Sequence, residues 1–264
     1  MVLERIAVQA PLFLLVFTRI YVFLRVAPMT SSTSIPGIAR TALCFLVSLM
    51  VFPSIVTAGY PVPDNALLFV LLLIGEGLIG VITALFLTIM FSVFQVGGQF
   101  FSLQMGFGAS QVFDPLAQVE IPLMGQFLNV IAMMIFVFSA GFQKIFLYGI
   151  QGSFAAMRAV DLAGAQRDLF PLILGGLAGL FEQALILAFP ILGTLFLLQI
   201  TMGLFGKAAP QMNLLMLGFP AAIGVAFLVL FLTLPFLVRS FEVIIDASFM
   251  QMGIFYGTMI GGTP

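Results

Sequence analysis

The sequence predicts an all-α integral membrane protein with about six long, kinked hydrophobic helices arranged as hairpins. Its 264 residues are 62% hydrophobic and 7% charged, whereas soluble domains carry about 25% charged residues. Apolar runs of about 20 residues or more, the length that crosses a bilayer, follow one another along the chain. No internal repeat or composition shift marks a second domain, so we expect one membrane domain over residues 1–264.

Six apolar segments are the predicted helices, in the order in which they occur. They are about Ile6–Ala27, Thr41–Ala58, Ala66–Phe101, Leu123–Gly149, Leu172–Phe205 and Leu214–Val238. A last piece, Phe241–Ile260, is expected to be amphipathic at most. The third and fifth segments have roughly 35 residues, too many for one perpendicular crossing of about 30 Å. We expect them to be kinked, tilted or extended beyond the membrane.

Proline and glycine inside these segments bear on how the helices bend and pack. Pro190 and Pro235 each remove a backbone donor and predict bends. Small residues at four-residue spacing fit close helix packing, or simply the abundance of Gly in membrane helices. They are Gly175 and Gly179, and Gly253, Gly257 and Gly261.

Membrane orientation does not follow from the positive charges. Lys and Arg in cytoplasmic loops normally set the topology, but here the two sides balance. One side holds Arg25, Arg40 and Lys207, and the other holds Lys144, Arg158, Arg167 and Arg239. This balance indicates that the helices do not all cross the bilayer independently.

Three charged residues within apolar segments are predicted to be buried charges: Arg19, Glu76 and Glu182. Each costs roughly 2.5–3.5 kcal/mol in lipid unless it is paired or hydrated. They are interpreted either as salt bridges to neighbouring helices or as an ion relay, and Arg25 can snorkel to an interface. Arg19 also interrupts the first apolar run, so we expect no cleavable signal peptide.

The residue types present exclude several classes of function. The chain has no His and one Cys, Cys44, which removes the usual zinc sites, His general bases and an intramolecular disulfide. No phosphate-binding loop or dinucleotide motif is found, and a net charge of −1 gives no reason to expect nucleic acid. We therefore expect no enzyme activity, catalytic residue, metal or cofactor.

The stretch Val96–Pro122 differs from the apolar segments on either side. It combines glycines, which allow unusual backbone angles, with Phe and Met, and its only charges are Asp114 and Glu120. An aqueous loop would carry more charge, so this stretch is either buried in protein or lines a cavity. We interpret Gly97-Gly98 as the flexible end of the preceding helix.

Three sequence blocks, well separated along the chain, carry a family resemblance. The first is Arg25–Pro36, including Pro28, with Arg40 just after it. The second is Gln104-Met105-Gly106, followed by Phe113-Asp114-Pro115. The third is Lys207–Asn213, including Pro210 and Gln211, with Gly218-Phe219-Pro220. By these blocks, their order and its length, the chain resembles the FliR family of type III secretion export-gate components. The third block is typical of the flagellar rather than the injectisome branch.

The resemblance implies a subunit of the flagellar export gate in the bacterial inner membrane, at the flagellar basal body. The family packs its helices in a helical assembly with several FliP-like and FliQ-like subunits and an FlhB-like subunit. Unfolded secreted proteins pass through its channel. The loop at Gly106–Pro122 would be a plug that closes it. The plug or gate residues expected on this basis are Met105, Gly106, Phe107, Gly108, Val112, Phe113, Asp114, Pro115 and Pro122.

Three functional hypotheses remain open from the sequence. The first is a gating subunit, since flexible Met side chains, Phe and Gly give a deformable seal, and an apolar constriction excludes ions. The second is a secondary transporter that uses Glu76 or Glu182 as coupling groups, with helices broken at Pro190 and Gly97-Gly98. The third is a purely structural scaffold, in which Gly106–Pro122 is a passive loop.

Overall fold

The computed structural model describes residues 2–30, 35–63, 65–107, 123–159, 166–211 and 213–260. These ranges form seven helices and contain no strand, which confirms the all-α prediction. The helices are α1 (Val2–Val26), α2 (Gly37–Thr57), α3 (Ala66–Gln104), α4 (Leu123–Phe138), α5 (Gly141–Ala156), α6 (Gln166–Ala208) and α7 (Leu214–Ile260). Residues Ile145–Gln151 of α5 form a π-helical stretch.

By length and composition, five of the described helices can cross a membrane: α1, α2, α3, α6 and α7. The bent pair α4 and α5 is a sixth span if the two are taken together. The longest three, α3, α6 and α7, have 39, 43 and 47 residues. At 1.5 Å per residue they are roughly 60–70 Å long, about twice the hydrocarbon thickness.

The predicted fourth helix is wrong in its extent, because the chain bends by 74° between α4 and α5. Ala140 has a positive φ of 57°. This left-handed conformation cannot continue a right-handed helix. Ser139 makes the last α-type bond of α4, donating to the Ile135 carbonyl at 2.8 Å, and α5 starts afresh at Gly141.

The predicted break before Phe241 is also wrong, since α7 runs without interruption from Leu214 to Ile260. Arg239, Ser240 and Glu242 lie at this position, and their side chains are compatible with a helix interior. Pro235 lies within α7 and Pro190 within α6, and the bends predicted for them stay predictions.

Asparagine side chains start two of the long helices. Asn65 Oδ1 accepts a hydrogen bond from the Leu67 N–H at 2.9 Å, at the beginning of α3. Asn213 Oδ1 accepts one from the Met216 N–H at 3.2 Å, at the beginning of α7. Both are N-caps that satisfy backbone donors with no partner inside the helix, and each therefore fixes where its helix begins.

The chain divides into two compact units. Unit 1 comprises Met1–Ile89, Ala140–Gly176 and Asp246–Pro264, and unit 2 comprises Met90–Ser139 and Leu177–Ile245. Helices α3, α6 and α7 each contribute to both, so these units are not separate stretches of sequence. The single membrane domain over residues 1–264 stays a prediction.

Unit 1 contains the hairpin of α1 and α2. The Phe13 ring of α1 lies edge-on against two rings of α2, Phe45 and Phe52, each at a centroid distance of 5.5 Å. Further along, the hydroxyls of Thr83 and Tyr256 are hydrogen-bonded at 2.8 Å. Aromatic contacts of this kind add to the free energy of burial, and the hydroxyl pair satisfies two buried polar groups between α3 and α7.

Unit 2 is held by aromatic rings and by close contacts between backbones. Phe94 and Phe241 lie 4.3 Å apart by ring centroid. A Cβ on Gly98 would lie 2.5 Å from the Gly125 Cα, so α3 and α4 touch at two glycines. The interpretation of Gly97-Gly98 as a flexible helix end is therefore wrong: both are buried inside α3, where small size permits close approach.

The other predicted small-residue contacts are not made within the described part of the chain. A Cβ at Gly175, Gly179, Gly253 or Gly257 would meet no atom within 4 Å. Gly261 lies outside the described residues. These glycines therefore do not explain how the helices of this chain pack together.

We expect Gly98→Ala to destabilise the protein, although Ala for Gly normally stabilises a helix by up to about 1 kcal/mol. The added methyl overlaps backbone atoms that cannot rotate away, and overpacking of this kind costs about 1–3 kcal/mol. Gly203→Ala in α6, where the methyl meets nothing within 4 Å, is the matched control. Thermal unfolding of the detergent-solubilised protein measures both, and equal midpoints would contradict the α3–α4 contact.

Candidate functional site

A buried ion pair joins α1 to α3 in unit 1. Arg19 Nε lies 2.5 Å from Glu76 Oε2, and the two side chains are 2% and 0% exposed. Gly80, one turn after Glu76, makes this possible. A Cβ there would lie 2.5 Å from the Arg19 carbonyl oxygen. Because residues four apart share a helix face, the close approach at Gly80 brings Glu76 to Arg19.

The second carboxylate oxygen of Glu76 has partners of its own. It accepts a hydrogen bond from the Tyr60 hydroxyl and one from the Ala159 N–H at 3.3 Å. Burial raises the pKa of Tyr60 above its ordinary value of 10.0, and the charge of Glu76 raises this pKa further. Tyr60 therefore keeps its proton, and remains a hydrogen-bond donor, up to pH 10.0 and above. Its stabilising contribution is lost only as the pH rises through the raised pKa.

The Arg19 guanidinium is satisfied on its other side by residues of and just after α5. It donates to the Met157 carbonyl at 2.9 Å and to Ser153 Oγ at 3.4 Å. It also lies 4.0 Å from the centroid of the Phe154 ring, a cation–π arrangement. A desolvated ion pair is favourable only when such additional bonds complete it, and here both charges are enclosed.

The prediction that Glu182 is buried is wrong for this chain, whose structure leaves the side chain exposed. It lies on a face of α6 that the other described helices leave exposed. Large apolar neighbours on α6 share this exposure, among them Phe181, Leu185 and Phe189. The predicted buried charges therefore separate into an enclosed pair, Arg19 and Glu76, and one exposed carboxylate.

At the end of α3, Gly106 forms a C-terminal cap. Its φ is +90°, its N–H donates to the Leu103 carbonyl at 3.1 Å, and the Phe107 N–H donates to the Ser102 carbonyl at 3.3 Å. These two bonds with a left-handed Gly are a Schellman motif. Met105, just before it, is 1% exposed, so the last turn of α3 is anchored in unit 2.

The ring of Phe219, from the second turn of α7, packs directly on Gly106. A Cβ at Gly106 would overlap two carbons of this ring. Glycine is therefore required at this position by its backbone angle and also by the space available. Residues more than 100 positions apart in sequence meet here. No signal in the sequence places these two residues in contact.

The family model described as "Bacterial export proteins, family 1" matches residues 10–248. The chain belongs to this family. Among its relatives, the flagellar biosynthetic protein FliR of Borreliella burgdorferi is 32% identical over 91% of this chain and 88% of its own. FliR of Bacillus subtilis is 30% identical, over 83% and 85%. The surface presentation of antigens protein SpaR of Salmonella typhimurium is 25% identical, over 82% and 80%.

Family membership and the span-capable helices make the chain a component of flagellar type III protein export in the bacterial cell membrane. The family is one of structural components of an export apparatus, which implies further subunits. Among the described residues, no group of three or more His, Cys, Asp or Glu side chains could hold a metal ion.

Most of the family-block residues lie at helix ends. Arg25 is exposed in the last turn of α1, where its positive charge interacts favourably with the helix dipole. Pro28 is in the turn that follows, Pro36 precedes α2, and Arg40 is buried in its first turn. The remaining described members are Gln104 in the last turn of α3, Pro210 and Gln211 before α7, and Gly218 and Pro220 beside Phe219.

The predicted plug residues fall largely outside the described residues. Met105, Gly106 and Phe107 are described, and the structure places them at the capped end of α3. The others are Gly108, Val112, Phe113, Asp114, Pro115 and Pro122, which lie beyond the described part, and their assignment stays a prediction.

We expect Glu76→Ala to lower the free energy of unfolding by about 3–5 kcal/mol, because it leaves Arg19 buried without its partner. The matched control is Asp246→Ala. This change breaks the pair with Lys144, which has an N–O distance of 2.5 Å but is 28% and 64% exposed. Exposed pairs contribute about 1 kcal/mol or less. Thermal unfolding in detergent compares the two. Equal losses of unfolding free energy would mean that the enclosed pair stabilises the protein no more than the exposed pair does.

Proposed function

We propose that this chain is a structural and gating subunit of the flagellar type III export gate. It would help form and seal the channel through which unfolded flagellar proteins leave the cell, without catalysing a reaction. The family match over residues 10–248 carries the proposal. In this proposal α3 and its Gly106 cap are the rigid support, and the segment up to Pro122 is the plug.

The apolar surface that the chain leaves uncovered supports assembly with other subunits. Within the candidate spans, between 17% and 39% of the residues are buried. α7 has the smallest share, with Phe231 74% and Leu232 68% exposed. Helices roughly 60–70 Å long extend beyond a single bilayer core. Such surfaces fit FliP-like, FliQ-like and FlhB-like neighbours better than lipid alone.

The composition of the proposed plug suits a seal that must pass many unrelated chains. Such a seal cannot depend on sequence-specific contacts, and it must deform and close again. Met is flexible and polarizable, glycine permits wide backbone movement, and an apolar constriction excludes water and ions. Phe107 and Phe113 would supply apolar bulk within this segment.

The alternative functions receive less support. A coupling carboxylate in a transporter needs access to water, whereas Glu76 is 0% exposed and has partners on both oxygens. A chain that is only a scaffold would not seal the channel itself, and an experiment on the plug segment distinguishes this case. The flagellar branch is favoured over the injectisome by the flagellar relatives of 32% and 30% identity.

We expect replacement of residues 108–122 by a Gly/Ser linker of equal length to make the assembled gate leak small ions. The design keeps Gly106 and Phe107, so the end of α3 is retained. Ion permeability is measured in membranes containing equal amounts of the assembled complex. Flagellar motility in cells lacking their own copy reports export. Normal permeability together with normal assembly would contradict gating and support the hypothesis of a purely structural scaffold.

We expect the chain expressed with FliP-like and FliQ-like proteins to co-purify from detergent as one complex. Phe231→Ser on the exposed face of α7 should reduce recovery of the partners, because it removes apolar area from an uncovered surface. Thr201→Ala in α6, an exposed residue whose hydroxyl bonds its own helix at 2.8 Å, serves as the control. A stable, monodisperse monomer in the presence of both proteins would contradict the assembly.

A further inference from the structure

The contact between Gly106 and Phe219 connects two rigid elements of unit 2. On one side, the Schellman motif ends α3, with the Gly106 and Phe107 amides bonded back into the last turn. On the other side, Asn213 caps the start of α7, and Phe219 follows six residues later. The position of the ring is thus set by a capped helix rather than by a loop.

Glycine in the left-handed region is not rigid by itself. Without a Cβ it has many accessible backbone conformations, and a helix end with exposed backbone bonds opens easily. The Phe219 ring occupies the space that a Gly106 side chain would fill. A rotation at Gly106 that moves its Cα toward the ring must therefore displace the Phe219 side chain.

We propose that Phe219 is a positioning residue, which fixes the direction in which the chain leaves α3 after Gly106. This inference rests on the proposed gating function and deepens it. A seal closes reproducibly only if the point where it is attached to α3 returns to the same place. The Phe219 ring restricts this attachment point, Gly106, to one conformation. Phe219 and the Asn213 cap of its helix both belong to the third sequence block, Lys207–Asn213 with Gly218-Phe219-Pro220.

The test is the ion permeability of membranes containing equal amounts of assembled complex, measured for Phe219→Ala and Phe219→Leu. Loss of the ring frees Gly106, so the closed gate should leak several-fold more in Phe219→Ala. Phe219→Leu keeps apolar volume but not the flat ring, and should give an intermediate leak. Thr201→Ala, the exposed position of α6 whose hydroxyl bonds only its own helix, should leave permeability unchanged.

A double-mutant cycle with Gly106→Ala tests the contact itself. The added methyl overlaps the ring, so Gly106→Ala should lower the thermal midpoint less in the Phe219→Ala background than in the natural sequence. Additive effects of the two substitutions would overturn the contact. The decrease in thermal midpoint that Gly106→Ala still causes in the Phe219→Ala background reports the unfavourable φ of Ala at this position.

The outcomes separate the positioning role from the gating function. If the linker replacement of residues 108–122 leaks but Phe219→Ala and Phe219→Leu seal like the natural protein, the positioning role is wrong and gating stands. If the linker replacement itself seals, gating fails and the positioning role fails with it. If Phe219→Ala does not assemble, Phe219→Leu decides, since a normal seal in that variant overturns the proposal.

Discussion

The structure depends on one constraint: the chain has more apolar helix surface than it can cover. Helices satisfy their backbone hydrogen bonds internally, so each can persist without neighbours where water is absent. In α6 and α7 only 22% and 17% of the span residues are buried, and large side chains such as Phe189 and Phe231 are exposed. The stability of the chain is thus tied in part to what surrounds its helices, in addition to its own internal contacts.

The Arg19–Glu76 pair is the most enclosed ion pair among the described residues. In the sequence, Arg19 looks like a defect in an apolar run. In the structure it is the centre of a closed polar network, whose partners come from α1, α3 and the chain before α3 and after α5. Because breaking such a network leaves a buried charge without a partner, it specifies one arrangement of these segments where apolar packing alone would tolerate several.

Sequence reasoning located the helices because hydropathy and length are properties of a segment by itself. It failed where the cause lies elsewhere in the fold. Ala140 ends α4 by a left-handed φ that alanine does not signal, and Gly97-Gly98 looked flexible because the backbone of Gly125 that demands their small size comes from another helix. The predicted break before Phe241 is absent, because α7 continues through this position. Family resemblance supplied the prediction of a plug, but it could not supply the contact between Gly106 and Phe219.

That contact shows how two requirements meet at one residue. Gly106 must adopt a positive φ to end α3, and it must lack a side chain because the Phe219 ring lies on it. Either requirement alone could be met by other means, since Asn also takes up left-handed angles at helix ends. Together they leave only glycine. A segment that begins at such a point has a fixed attachment to α3, whatever its own conformation. The proposed plug, which combines Met, Phe and Gly, therefore needs rigidity at its attachment more than along its length.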